Sequence, residues 1–372
     1  MDTYETFRPL FLEAARKKGA DLLFHIHPDV RGVQRETLAV DVATFIRGTP
    51  RSLFINVSAV HGAEGPAGSL IQRNILDRLD VDSLPSDTAL VFIHALNPWG
   101  FSWYRRETED NVDLGRNFAD FSSPPDNPGY AGLHPGLRPP RWKDFPRALR
   151  YLYSLYRQDR AAFEDALTGG QYHWPDGLYY GGNKPTWSHR IFVDILHRYA
   201  AAASRIIYLD WHTGLGPYGT SQIILDVPRN SDSFRQATQL WSRHTVSTTH
   251  SSDTGGMAVL RLGEIFSALD PLREKRASVI AATHETGTYS PARVFASLWY
   301  SSLCRNLGPP PAEMLLEKLG LDAWNVSRKT FFPQGRAWRQ QTVESGVQAF
   351  FSAVDYITAN GRDQPGSMTA LP

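Results

Sequence analysis

The sequence predicts a single α/β domain, residues 1–372, built on a mixed, mostly parallel twisted sheet with helices on both faces. Three observations lead there. Four apolar, β-branched runs have the look of strands buried on both sides. Helical patterns separate and follow them, as in a sheet covered on two faces. The composition is that of a globular chain, with 42% hydrophobic and 12% aromatic residues in 372. That is enough apolar surface for a sizeable core, and it excludes intrinsic disorder.

In chain order, MDTYETFRPLFLEAARKKG at the N-terminus is an amphipathic helix pattern with acids early and bases late. It lacks the basic-then-apolar order of a signal peptide. The stretch LLFHIHPD, with His25 and His27, reads as an edge strand. The four strong runs are Leu53 to Val60, Ala89 to Leu96, Ile206 to Trp211 and Ser278 to Thr283. Helices are expected near 66–79, 147–166, 186–203, 232–247, 291–305 and 336–357. Residues 121–146 carry seven prolines and little periodicity. No new strand series follows them, so they are expected as a long surface loop inserted in the domain.

Charge and cysteine narrow the function class. Lys plus Arg number 39 against 38 Asp plus Glu, a net of +1. No global field gathers nucleic acid or an anionic membrane, so neither is an expected partner. The single Cys304 excludes an intrachain disulfide framework and fits a reducing compartment. No run approaches ~18 consecutive apolar residues. A cytoplasmic protein is expected.

Each strong run ends in an unusual cluster. His61-Gly-Ala-Glu64-Gly-Pro66 follows the first, and Asn97-Pro-Trp-Gly100 follows the second, with Arg105, Arg106 and Asp113-Leu-Gly-Arg116-Asn117 beyond. His212-Thr-Gly-Leu-Gly-Pro-Tyr218-Gly follows the third, and His284-Glu285-Thr-Gly-Thr288 the fourth. Ligands of open α/β sheets bind outside the carboxyl ends of the strands, so the four clusters are placed to converge. His61, Glu64 and His212 then offer two imidazoles and a carboxylate, a known catalytic zinc set when water takes the fourth position. The His-x-x-acid spacing alone is weak, because His173 to Asp176 and His250 to Asp253 share it. Only His61 follows a buried strand and precedes a proline suited to a helix start. The bland alternative is a turn histidine beside a helix-capping acid.

Taken together, HGAEG, NPWGFSWYRRETEDNVDLGRNF, DWHTGLGPYG and HETGT resemble the zinc carboxypeptidase superfamily, the carboxypeptidase A-like enzymes. The nearest likeness is to a poorly characterised branch known only as a domain of unknown function. The match runs from about Ser52 to Thr288. The resemblance implies one zinc per chain, held by His61, Glu64 and His212, with Glu285 as the general base. It implies an oxyanion-stabilising arginine at Arg105 or Arg106, and a carboxylate-gripping Arg116 beside Asn117. Tyr218 and Tyr289 are the candidates for the family's mobile tyrosine, with Tyr218 the one placed at the substrate. The family's Asn before the gripping arginine is here Gly115, which removes a side-chain donor from the carboxylate pocket. Gly115→Asn is expected to sharpen recognition of a free carboxylate. Asp113 reads as a supporting or structural acid and not a catalyst, and Asp210 as one that orients the site or packs without binding a metal.

The activity implied is zinc-dependent cleavage of an amide, as a metallocarboxypeptidase acting on a peptide or acyl-amino acid. The alternatives are an N-acyl amino acid deacylase resembling aspartoacylase and succinylglutamate desuccinylase, or a non-catalytic binding module on the same fold. His25 and His27, two residues apart on one strand face, also match the opening ligand pair of an amidohydrolase barrel. No later set completes that barrel. His94, inside an apolar run, reads as a core histidine, and Gly181 to Pro185 as a turn. Gly-x-Ser-x-Gly is absent, which leaves a serine hydrolase without support.

Overall fold

The computed structural model describes residues 2–249 and 264–361; His250 and Asp253 lie outside them. The strands are β1 (Asp21–Arg31), β2 (Thr37–Ile46), β3 (Ser52–Val57), β4 (Thr88–His94), β5 (Arg205–Gly214), β6 (Ser221–Leu225), β7 (Thr245–Thr248) and β8 (Ser278–Gly287). They form one sheet of order β1-β2-β4-β3-β5-β8-β6-β7. The four runs expected as strands become β3, β4, β5 and β8, the parallel centre. The β1–β2 hairpin adds antiparallel to β4 at one edge. On the other side β6 runs antiparallel to β8, and β7 parallel to β6.

Period-two alternation divides the apolar runs between two cores. Leu53, Ile55 and Val57 of β3, Ile206 and Tyr208 of β5, and Val279 and Ala281 of β8 face the helix Trp187–Ala200. Phe54, Ile207, Leu209, Trp211, Ile280 and Ala282 face the helices Tyr4–Lys17, Gly65–Arg78, Asp232–Leu240 and Arg336–Gly361. Because both faces are covered, the central strands need apolar residues on both sides, and the sequence shows long apolar runs with few polar interruptions, such as Asn56, His94 and Asp210.

Several expectations needed tertiary correction. The helix expected over 147–166 is two, Phe145–Gln158 and Arg160–Thr168. Asp159 divides them and caps the second by accepting from the Ala162 N–H at 3.0 Å. The helix expected over 232–247 stops at Leu240, and Thr245–Thr248 pairs with β6 instead. Within 121–146, expected as a loop, Pro128–Leu137 is helical and buries Tyr130, Leu133 and Leu137 against the Phe145–Gln158 and Arg160–Thr168 helices. Pro135 and three glycines mask its periodicity. β2 escaped notice because Asp41 interrupts its apolar run. In the fold that carboxylate is fully buried and receives Arg8 Nε at 2.7 Å and Nη2 at 2.8 Å. Among the described residues no helix is long and apolar enough to cross a membrane.

The chain leaves β3 for β4 on one side of the sheet and returns to β5 on the other. The crevice at the carboxyl ends of β3 and β5 is therefore the switch point where ligands of such sheets bind.

Candidate active site

The loops beyond β3 and β4 are laced together before any catalytic side chain is placed. Ala59 and Ala95, just past the two strands, both take the left-handed conformation, at φ 57° and 59°. The N–H groups of Leu96 and Asn97 donate to the Ser58 and Ala59 carbonyls at 3.0 and 2.9 Å. Gly62 then lies so close to Gly100 that a Cβ would fall 1.9 Å from the Gly100 carbonyl carbon. Only glycine fits there. Asn97 accepts from the Gly100 N–H at 2.8 Å and caps the short helix Pro98–Trp103. HGAEG and NPWG thus interlock, and Glu64 stands at the N-cap of the helix Gly65–Arg78 that Pro66 helps open, its side chain not spent on capping.

His212 comes from the end of β5, and its register partner on β8 is Glu285. Neighbours in register share a sheet face, so the two side chains stand side by side. His61 Nδ1 lies 3.0 Å from Glu64 Oε1 and 3.0 Å from His212 Nδ1. His212 Nδ1 is 3.0 Å from Glu64 Oε2. Ligands on a tetrahedral ion with ~2.0–2.1 Å bonds lie ~3.3 Å apart, so small outward shifts seat an ion among the three. Among the described residues this is the one group of three His, Cys, Asp or Glu side chains that could hold a metal ion. His25 and His27 are not part of it. His27 instead lies 3.1 Å from Glu109 and packs against Trp187.

Both imidazoles of this group are backed by acids. His61 Nε2 lies 3.1 Å from Asp113, and His212 Nε2 lies 3.0 Å from Asp210. Such partners fix which nitrogen faces the ion. Burial works against ionisation of Glu64, but His61 and His212 outweigh it and hold the carboxyl well below its ordinary range. Burial likewise disfavours charge on His212, yet Asp210 and Glu64 prevail and push its pKa well above the usual value. The donor set therefore calls for positive charge where its atoms meet. A cation supplies that, so the residues present fit a metal.

The arginines divide sharply. Arg106 Nε lies 3.0 Å from Asp113, its Nη1 3.6 Å from Glu64, and it lines the cavity with the metal set and Glu285. Arg105 turns away and donates to the Ser301 carbonyl at 3.0 Å. Adjacent residues point opposite ways here, so the sequence order left open what the fold decides. Arg105 is thus not placed to touch a substrate. Glu285 accepts from the Leu215 N–H at 2.8 Å, which aims its carboxylate at the same cavity.

The family described as "Protein of unknown function (DUF2817)" matches residues 1–345. This chain belongs to that family. No curated protein matches the chain. Among solved structures, thrombin-activatable fibrinolysis inhibitor is 9% identical, with 96% of this chain and 74% of that chain covered and a TM-score of 0.52. Carboxypeptidase A from Helicoverpa armigera is 13% identical over 94% and 73%, at 0.47. An aspartoacylase family protein from Mesorhizobium loti is 15% identical over 72% and 61%, at 0.37. The fold of this DUF2817 member is the zinc carboxypeptidase-like α/β fold that its motifs imply.

Other expected site residues stand elsewhere in the DUF2817 chain. Asn117 is buried and spent on the backbone: Nδ2 donates to the Gly181 carbonyl at 2.8 Å and to that of Lys184 at 3.1 Å, and Oδ1 accepts from the Thr186 N–H at 2.8 Å. It holds the 181–186 turn and has no reach to a substrate. Tyr218 is half exposed on the loop after β5, with its ring 5.6 Å from Tyr289, and it does not line the cavity with the metal set. His94 is the core histidine expected, fully buried, with Nε2 2.9 Å from the Ser69 hydroxyl. Tyr179 was missed. It lines the cavity, with its ring 5.3 Å from the Arg106 guanidinium and 4.9 Å from that of Arg116. Its backbone is left-handed at φ 56°, a strained conformation for a tyrosine. No motif in the sequence marks it. Leu215, Val294, Leu298 and Phe331 supply the apolar part of the cavity lining.

Proposed function

We propose that this protein is a zinc-dependent hydrolase of the carboxypeptidase type, cleaving an amide bond in a peptide or acyl-amino acid. The observation that carries the reading is the convergence of His61, Glu64 and His212 with the Glu285 carboxylate in one cavity. Two imidazoles, one carboxylate and an open position form the donor set of a catalytic zinc site. A zinc ion held there would polarise the scissile carbonyl and acidify a water. Glu285, fixed by the Leu215 N–H, takes the proton from the attacking water. It passes that proton to the nitrogen as the carbon–nitrogen bond breaks, leaving a carboxylate and an amine. Arg106 presents a guanidinium on the same side and donates to the oxygen as it becomes an oxyanion. Asp113 and Asp210 keep both imidazoles turned, and the wall from Leu215 to Phe331 takes the apolar part of the substrate.

The test is metal analysis joined to a substrate panel. Purified protein should carry close to one zinc per chain. The zinc-loaded protein should release amines from peptides or acyl-amino acids, and a strong chelator should remove zinc and activity together. Stoichiometric zinc in a His61→Ala, Glu64→Ala double variant would overturn the ligand assignment. A loaded protein that cleaves no amide in the panel would overturn the reaction.

A further inference from the structure

Arg116 is expected, by resemblance, to grip a substrate carboxylate; it lines the cavity beside Tyr179, but both of its terminal nitrogens are taken by protein acceptors. It is only 3% exposed. Nη1 meets the Asp113 carboxylate, Nη2 donates to the Thr168 carbonyl at 2.6 Å, and Nε, against the Gly170 turn, has no partner among the described residues. The Thr168–Gly170 turn closes over it: a Cβ on Gly170, which sits at φ +88°, would lie 2.5 Å from Arg116 Cδ. Asn127 pins that turn by donating to the Ala166 and Gly170 carbonyls at 2.9 and 2.7 Å. A guanidinium grips a carboxylate by offering two parallel N–H groups to it. Here the two terminal nitrogens are turned to different acceptors, and the nearest negative charge is already that of Asp113.

Gly115 points the same way. A Cβ there would lie 3.2 Å from His61 Nε2 and 3.3 Å from Asp113 Oδ1. Those two atoms are themselves in contact at 3.1 Å. A side chain at 115 presses on the acid that orients a metal ligand, so Gly115→Asn disturbs His61 where the resemblance alone led one to expect a sharper carboxylate pocket.

We infer that Arg116 is a positioning residue, holding Asp113 against His61, and that the site takes amides whose leaving side carries no free terminal carboxylate. The second half rests on the amide-hydrolase reading; the first does not. The substrate class is then an internal peptide amide or the amide of an uncharged amine, which narrows the reading above by setting aside acyl-amino acids and cleavage next to a free C-terminus.

Two measurements test this. In the first, zinc affinity is read by chelator competition. Arg116→Gln should weaken zinc about 10- to 100-fold, the usual cost of removing an outer partner of a metal ligand. Arg116→Lys, which keeps a charge on Asp113, should recover most of the loss. Unchanged zinc affinity in Arg116→Gln would overturn the positioning role. In the second, an N-acyl dipeptide as free acid and as C-terminal amide is titrated into zinc-loaded Glu285→Gln protein. This variant keeps Arg116, so the result stands even if Arg116→Gln does not fold. Equal affinities are expected. A free acid that binds about 10- to 150-fold more tightly, the worth of a charge-assisted pair, would overturn the substrate class. If no amide is ever hydrolysed while Arg116→Gln still loses zinc, the reaction falls and the positioning role stands.

Discussion

β5 and β8 carry two histidines with opposite fates within one step of register. His212 and Glu285, partners across the strands, face the cavity; Trp211 and His284, the pair one residue back, face the packed core. Both histidines are buried. His212 has carboxylates at both ring nitrogens, and its pKa is held well above the ordinary value. His284 has the Ser345 hydroxyl at 2.9 Å on Nε2 and no partner for Nδ1 among the described residues. Burial, with His244 nearby, pushes its pKa down to about 3. Burial alone makes a histidine neutral and inert. Burial between acids makes a seat for positive charge, and the period of two sorts the two outcomes onto opposite faces.

The largest effects should come from breaking the cavity face. His61→Ala or His212→Ala should abolish zinc binding and activity, whereas His284→Gln, one residue from Glu285, should keep close to one zinc per chain by metal analysis. Glu285→Gln should retain zinc and lower turnover about 10²- to 10⁴-fold, the share that general acid–base catalysis usually contributes. Next come the adjacent arginines. Arg106→Ala should cost about 10²- to 10³-fold in kcat, as loss of an oxyanion donor does, while Arg105→Ala leaves kcat nearly unchanged. Equal losses in the two would show that the fold does not separate them as drawn.

The smallest effect sharpens the packed face. An unfolded His284 takes up a proton near its ordinary value of 6.5, and the folded one near 3. Between those values the unfolded state binds more protons, so stability falls as pH drops from about 6.5 towards 3. The contribution of this one group is at most about 1.4 kcal/mol per pH unit. Denaturant unfolding at pH 6 and pH 4.5 should show that slope reduced in His284→Gln relative to the unmutated chain. An identical slope would mean that the folded His284 titrates normally.

Much of this site was legible in the chain because each functional cluster sits at the end of a predominantly apolar strand. His61, Glu64, His212 and Glu285 could be paired with strand ends, and strand ends with a crevice. Tyr179 could not be found that way. It reaches the cavity from a turn held by Gln171 and Asp113 backbone pairing, far from any strand end, and its left-handed backbone leaves no mark in the residue types. Asn117 misled for a related reason: a buried amide that ties down a turn and one that binds a ligand look alike in sequence.

The chain itself determined the four central strands, the two covered faces and the order of the chemical groups. Apolar periodicity and turn chemistry are local, and local spacing survives in a sequence. Tertiary structure alone decided which of Arg105 and Arg106 enters the cavity, that Arg116 is tied to Asp113 and Thr168, and that residues 128–137 form a packed helix. Two of those outcomes turn on distant acceptors, Thr168 for Arg116 and Ser301 for Arg105, 52 and 196 residues away in the chain. Where a guanidinium points is set by the acceptor it meets, and only the fold brings that acceptor into reach.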